Sequence, residues 1–82
     1  MSKEEIFELV VKNTYEVIPD LEGHDIKPTD RLTDLGANSV DRAEIVTMTM
    51  EELNLQIPRV ELFGAKNIGQ LVEILNNKMQ SA

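Results

Sequence analysis

From Ile6 onward, apolar residues recur at intervals of three and four: Ile6, Leu9, Val10 and Val17, with Thr14 in register and Phe7 and Val11 widening the stripe. This spacing predicts an amphipathic helix over about 3–18. Ser2-Lys3-Glu4-Glu5 fits a capping box in front of it, and Pro19 stops it. A second periodic stretch begins at Asn38 or Ser39, either of which suits a helix N-cap, and runs to about Leu53. Asp41 then falls in the first turn, where the helix dipole favours negative charge. Val60-Glu61-Leu62-Phe63 suggests one further helical turn, placed after Pro58 and ended near Gly64. Ile68, Leu71, Val72, Leu75 and Met79 form the stripe of a last helix, with Asn67 as its cap and Gln70 reaching back. Residues 80–82 are expected to fray.

The connection over 19–38 is long. It holds Pro19, Gly23, Pro28 and Gly36, but also the spaced apolar residues Leu21, Ile26, Leu32 and Leu35. Those anchors predict a loop packed on the bundle rather than a disordered linker. Three longer helices, one short helix and few strand signals predict an all-α four-helix bundle. Eighty-two residues predict a single domain over 1–82.

The second helix has two unlike faces. Arg42, Ile45, Val46, Thr49 and Leu53 share one, with Ile45, Val46 and Leu53 as core contacts and Arg42 near its top, able to keep its charged head in water. The other face carries Val40, Ala43, Glu44, Thr47 and Glu51, with Met50 on its flank. A mixture of small apolar residues and carboxylates suits transient docking, and it also fits an ordinary solvated face.

Charge sharpens this picture. The net charge is −7, and residues 1–52 carry 13 acidic and 5 basic groups against 2 and 3 in residues 53–82. Such a balance argues against nucleic acid and against an anionic membrane surface. It suits encounter with basic protein partners, or simply solubility. With 41% hydrophobic and 4% aromatic residues, Leu, Ile, Val and Met must fill the core. No cysteine is present, so no disulfide, Cys nucleophile or Cys metal site is expected, and no metal centre is predicted. No apolar run approaches a membrane span and nothing resembles a signal peptide, so a cytoplasmic protein is expected.

The segment Leu35-Gly36-Ala37-Asn38-Ser39-Val40-Asp41 carries the candidate chemistry. Gly36 lets the backbone turn, and Ser39 stands at the loop-to-helix junction, where a linked phosphate lies near the helix N-terminus. Locally, the simplest reading of Ser39 is a helix cap. As a nucleophile it would need a base, and the chain's one histidine is His24, read as an ordinary surface residue in a loop. No catalytic residue is assigned.

Over about residues 3–79 the chain resembles the acyl carrier proteins. The residues that carry the likeness are Gly36-Ala37-Asn38-Ser39-Val40-Asp41, Glu44-Ile45-Val46, Glu51-Glu52-Leu53 and Ile57-Pro58. The resemblance implies a four-helix bundle whose Ser39 receives 4′-phosphopantetheine from coenzyme A through a separate phosphopantetheinyl transferase. Acyl groups then ride as thioesters on the imported thiol, and Val40, Arg42, Ala43, Glu44, Thr47 and Glu51 would meet partner enzymes. The family's usual Asp before the serine is Asn38 here, which keeps the cap, loses the charge and leaves the transferase's identity open.

Residues 38–45 and 62–69 are further similar to the stand-alone donor carriers (AcpK-like) of polyketide β-branching cassettes. That likeness implies a malonyl or acetyl cargo and three pathway partners: an acyltransferase, a decarboxylating ketosynthase-like enzyme and an HMG-CoA synthase-like enzyme. It also implies that Arg42 and the region 59–66 help to choose among them. A monomer is the simplest expectation for a shuttle. Short cargo is expected to stay exposed, although Met48, Met50, Leu53 and Leu62 offer a soft lining. The alternatives are a peptidyl carrier, an unmodified acidic helical module for a basic partner, and a small serine hydrolase.

Overall fold

The computed structural model describes residues 2–62 and 64–81, without the side chains of Arg59 and Ser81. The chain forms α1 (Lys3–Val17), a 3₁₀ turn at Pro19–Leu21, α2 (Ser39–Leu53), the short α3 (Arg59–Leu62) and α4 (Ile68–Ser81). No strand occurs among the described residues. The all-α bundle read from the periodicity is therefore the architecture observed. Phe63, expected in the short helix, and Ala82, expected in the frayed tail, lie outside the described residues. The helix α4 itself continues to Ser81, past the expected start of fraying.

Local chemistry sets the ends of the elements. Ser2 Oγ accepts from the Glu5 N–H at 3.2 Å, and Glu5 Oε1 accepts from the Ser2 N–H at 3.0 Å, completing the expected capping box. Those bonds to Ser2, the backbone one first, hold the Glu5 carboxyl below its ordinary pKa. The capping contribution is thus present above the usual carboxylate range and lost as pH falls through the lowered value. At the other end of α1, Pro19 opens the 3₁₀ turn. α2 ends at Asn54, whose φ of 56° is the left-handed conformation that asparagine tolerates at a helix terminus. Ahead of α4, Asn67 Oδ1 accepts from the Gln70 N–H at 2.8 Å. Gln70 does reach back, but its side chain meets the Lys66 N–H at 2.9 Å rather than that of the cap.

α1 packs along both α2 and α4. Among the described residues the core is aliphatic: Ile6 and Val10 from α1, Ile45, Val46 and Leu53 from α2, and Ile68, Leu71, Val72 and Leu75 from α4. The loop contributes Ile26 and α3 contributes Leu62. Met50 is buried in this core, not set on the flank of the outward face. Its place follows from α2 burying a stripe wide enough to include Val46, Thr49, Met50 and Leu53.

One polar pair crosses the core. Asn13 Nδ2 donates to Thr49 Oγ1 at 2.9 Å, and the Thr49 hydroxyl donates to the Ile45 carbonyl at 2.8 Å. Asn13 and Thr49 are both fully shielded from solvent, and Asn13 Oδ1 meets no partner. Such a pair links α1 to α2 but leaves a desolvated acceptor. Thr49→Val alone, which also strands the Asn13 amide, is expected to cost about 1–3 kcal/mol. Asn13→Leu with Thr49→Val together should be near neutral or stabilising. Urea denaturation of the single and double variants measures the difference.

The long loop is fastened at several points. The Tyr15 hydroxyl donates to the His24 carbonyl at 2.6 Å, and Asp30 Oδ2 accepts from the Lys27 N–H at 2.8 Å. At the start of α4, the Ile68 N–H donates to the Asp30 carbonyl at 3.0 Å and the Gly69 N–H to the Pro28 carbonyl at 2.8 Å. The loop thus satisfies N–H groups that a helix N-terminus leaves without partners. A Cβ at Gly69 would stand 3.1 Å from the Pro28 carbonyl oxygen, so the loop would have to give by a few tenths of an ångström to keep these bonds. α3 is held from the other side by Lys78 Nζ, 2.9 Å from Glu61 Oε1. A packed loop, rather than a linker, is what the structure contains.

Candidate functional site

The site is built where the loop enters α2. Gly36 has a φ of 96°, a conformation that favours glycine, and turns the chain there. The following Ala37 is buried, and its N–H donates to the Leu32 carbonyl at 3.0 Å. Asn38 is the N-cap: its Oδ1 accepts from the Asp41 N–H at 2.8 Å, and Asp41 Oδ2 in turn accepts from the Asn38 N–H at 3.3 Å. Ser39 therefore does not cap the helix. It occupies the first helical position, is exposed, and its hydroxyl bonds to no described residue. The choice between Asn38 and Ser39 as cap, open in the sequence, falls to Asn38 and frees the serine.

Arg42, one turn along, is half-buried, and its guanidinium donates to the Ala37 carbonyl at 3.2 Å. The guanidinium joins the end of the loop to α2 and stays partly accessible to solvent. Ser39 and Arg42 share a cavity of about 360 Å³. Its floor is apolar, from Leu32, Val46, Leu62, Ala65, Ile68 and Leu71, and Arg31 and Lys66 also line it. Of the four residues expected as soft lining, Leu62 takes part, while Met48, Met50 and Leu53 do not line the cavity. Arg31 and Lys66 carry no periodic signal in the sequence. Their basic character in an acidic chain is the one feature that could have drawn attention to them.

The outward face of α2 stands as the helical phase requires. Val40 is 71% exposed, Glu44 and Glu51 are exposed, and Ala43 and Thr47 are half-buried. Val40 and Val60 are the large apolar side chains left exposed among the described residues. His24 lies exposed in the loop and does not line the cavity beside Ser39. Among the described residues no cluster of His, Asp and Glu is placed to hold a metal ion, and no helix is long and apolar enough to cross a membrane.

The arrangement can accept a covalently linked phosphate. Ser39 Oγ is accessible and unengaged, the first N–H groups of the 15-residue α2 lack helical partners, and cations line the adjoining cavity. The residues present thus fit a phosphopantetheine arm: an exposed serine hydroxyl with an apolar groove beside it.

Comparison with known proteins bears on this fit. Residues 10–75 match the family model described as "Phosphopantetheine attachment site". The chain is 57% identical, over the full length of both, to the polyketide biosynthesis acyl-carrier-protein AcpK of Bacillus subtilis (strain 168). It is 39% identical over 44 residues to an acyl carrier protein of Clostridium perfringens, covering 54% of this chain and 58% of that one. Among solved structures it resembles a chain of the curacin biosynthetic pathway HMG synthase in complex with its acetyl donor acyl carrier protein. The TM-score is 0.91 and the identity 51%, over 95% of this chain and 100% of that one.

Proposed function

Because the chain belongs to the acyl carrier proteins of the phosphopantetheine-attachment family, a family that carries substrates rather than transforming them, we propose that Ser39 anchors its 4′-phosphopantetheine and that it serves as an acetyl donor in polyketide β-branching. The observation that carries the attachment site is the exposed Ser39 hydroxyl, left free by the Asn38 cap. The donor role is supported by likeness along the whole chain to a polyketide carrier and to the partner of an HMG synthase. Its upstream partners are a phosphopantetheinyl transferase, an acyltransferase and a decarboxylating ketosynthase-like enzyme, and its acceptor is an HMG synthase-like enzyme.

When bound, the prosthetic group supplies a terminal thiol that holds the acyl group as a thioester. The chain's own residues present the anchor. Gly36 and Asn38 set the turn and the cap, Ala37 is buried between them, and Arg42 fastens the turn to α2. An acetyl group gains little from burial, on the order of 1–2 kcal/mol, and so stays available for transfer.

The outward face of α2 would meet the acceptor enzyme through Val40 and Ala43, with Glu44 and Glu51 steering the approach. Glu44→Lys or Glu51→Lys is expected to slow acetyl transfer roughly three- to tenfold at low ionic strength, and less at high salt. Thermal stability should hold, because both side chains are exposed. The test loads the protein with coenzyme A and a broad-specificity transferase, acetylates it, and follows acetyl transfer to an HMG synthase-like enzyme by mass spectrometry. Transfer supports the donor role. A loaded, acetylated protein that no such enzyme discharges would contradict it.

A further inference from the structure

We infer that Arg31, Arg42 and Lys66 form a cationic seat for the phosphodiester on Ser39, tying three separate parts of the chain together in the loaded protein. The inference rests on Ser39 as the attachment point. It starts from an imbalance. The chain has 15 carboxylates and 8 Lys or Arg, so a cation that avoids every carboxylate runs against the composition. Lys3, Lys12 and Lys78 behave as expected, each within 4 Å of a partner, Glu73, Glu52 and Glu61 respectively.

Among the described side chains, Lys27, Arg31, Arg42 and Lys66 have no carboxylate partner. Three of these four line the cavity that also takes in Ser39, and no carboxylate lines it. Arg31 comes from the loop, Arg42 from the first turns of α2, and Lys66 from the connection between α3 and α4. The guanidinium of Arg42 gives one bond to the Ala37 carbonyl and keeps further donors for an anion. The N-terminus of α2 adds its own positive end.

An anion linked to Ser39 is held at this seat covalently, at an effective concentration no dissolved ion matches. In the unloaded protein the three cations repel one another. Loading replaces that repulsion with charge-assisted hydrogen bonds across three elements. The loaded protein should therefore melt above the unloaded one, by roughly 3–6 °C at low salt, with the gap narrowing as salt rises.

The test compares wild type with an Arg31→Gln, Lys66→Gln double variant, which leaves the Arg42 bond to Ala37 in place. Melting temperatures and the ³¹P resonance are recorded for unloaded and loaded forms without any partner enzyme, and intact mass confirms loading. The variant should match or slightly exceed wild type when unloaded, lose at least half of the loading gap, and show a shifted ³¹P resonance. Equal gaps and an unchanged resonance in two loaded proteins would overturn the seat while leaving Ser39 as anchor. The same holds if the double variant slows only transfer to a partner enzyme, which would assign the cations to that partner's carboxylates. If the variant resists loading, wild type decides alone: a gap indifferent to salt overturns the seat. Absence of any mass gain in wild type would remove both the seat and the attachment reading beneath it.

Discussion

Ser39→Ala is expected to abolish loading with phosphopantetheine and to leave the bundle intact. The expected loss is complete, because alanine has no hydroxyl to carry the phosphodiester, and with no cysteine in the chain no other thiol can hold an acyl group. The stability half of this expectation follows from the cap. Had Ser39 been the N-cap, its removal would cost about 1 kcal/mol. Since Asn38 Oδ1 satisfies the Asp41 N–H, Ser39→Ala should instead stay within about 0.5 kcal/mol of wild type, as surface substitutions do. Asn38→Ala is the converse control, expected to lose about 1 kcal/mol of helix stability while keeping the hydroxyl. Intact mass after incubation with coenzyme A and a transferase, alongside thermal melts, reads both halves. Loading that survives Ser39→Ala would place the anchor elsewhere, and a large drop in melting temperature would give the serine a structural role the hydrogen bonds do not show.

The largest loss of stability is expected at Ile45, which is fully buried on the inner face of α2. Ile45→Ala removes branched aliphatic volume from a core with no aromatic residue among its described fully buried members, and should cost about 2–5 kcal/mol. Against the roughly 5–15 kcal/mol total of a typical small domain, that loss brings the protein near its unfolding threshold. Glu44, the preceding residue, points outward, so Glu44→Ala should change stability by less than about 0.5 kcal/mol. The contrast between adjacent positions fixes the rotation of α2, and with it the face that Val40, Glu44 and Glu51 present. Urea denaturation of both variants measures it; similar losses at 44 and 45 would mean that the docking face has been set on the wrong side.

The helices were legible because their stripes are regular. Ile6 and Val10, Ile45 and Val46, and Ile68, Leu71, Val72 and Leu75 were all read as inward-facing and all are buried. The caps at Ser2 and Asn67 were legible because a short polar side chain ahead of an apolar stripe has few other uses. Asn13 was not, since an amide gives no hint that its partner is a threonine 36 positions away. Met50 was misplaced because an unbranched side chain near the boundary of two faces can turn to either.

The loop's docking was half visible. Its apolar anchors showed that it packs, but the backbone bonds from Ile68 and Gly69 to Asp30 and Pro28 depend on carbonyls that every residue possesses. Gly69 therefore looks like an ordinary helical residue in the sequence, although a Cβ there would crowd Pro28 of the docked loop. The same docking explains the candidate site. Ser39 stood out in one contiguous segment, whereas Arg31 and Lys66 reach its cavity only after the loop and the α3–α4 connection have been brought alongside α2.

The most direct measurement is peptide-level mass spectrometry on protein incubated with coenzyme A and a broad-specificity transferase. A phosphopantetheine mass on a fragment containing Ser39, removed by the Ser39→Ala substitution, is the predicted result. An unmodified Ser39 peptide after exposure to several transferases, or the added mass on a different residue, would contradict the account.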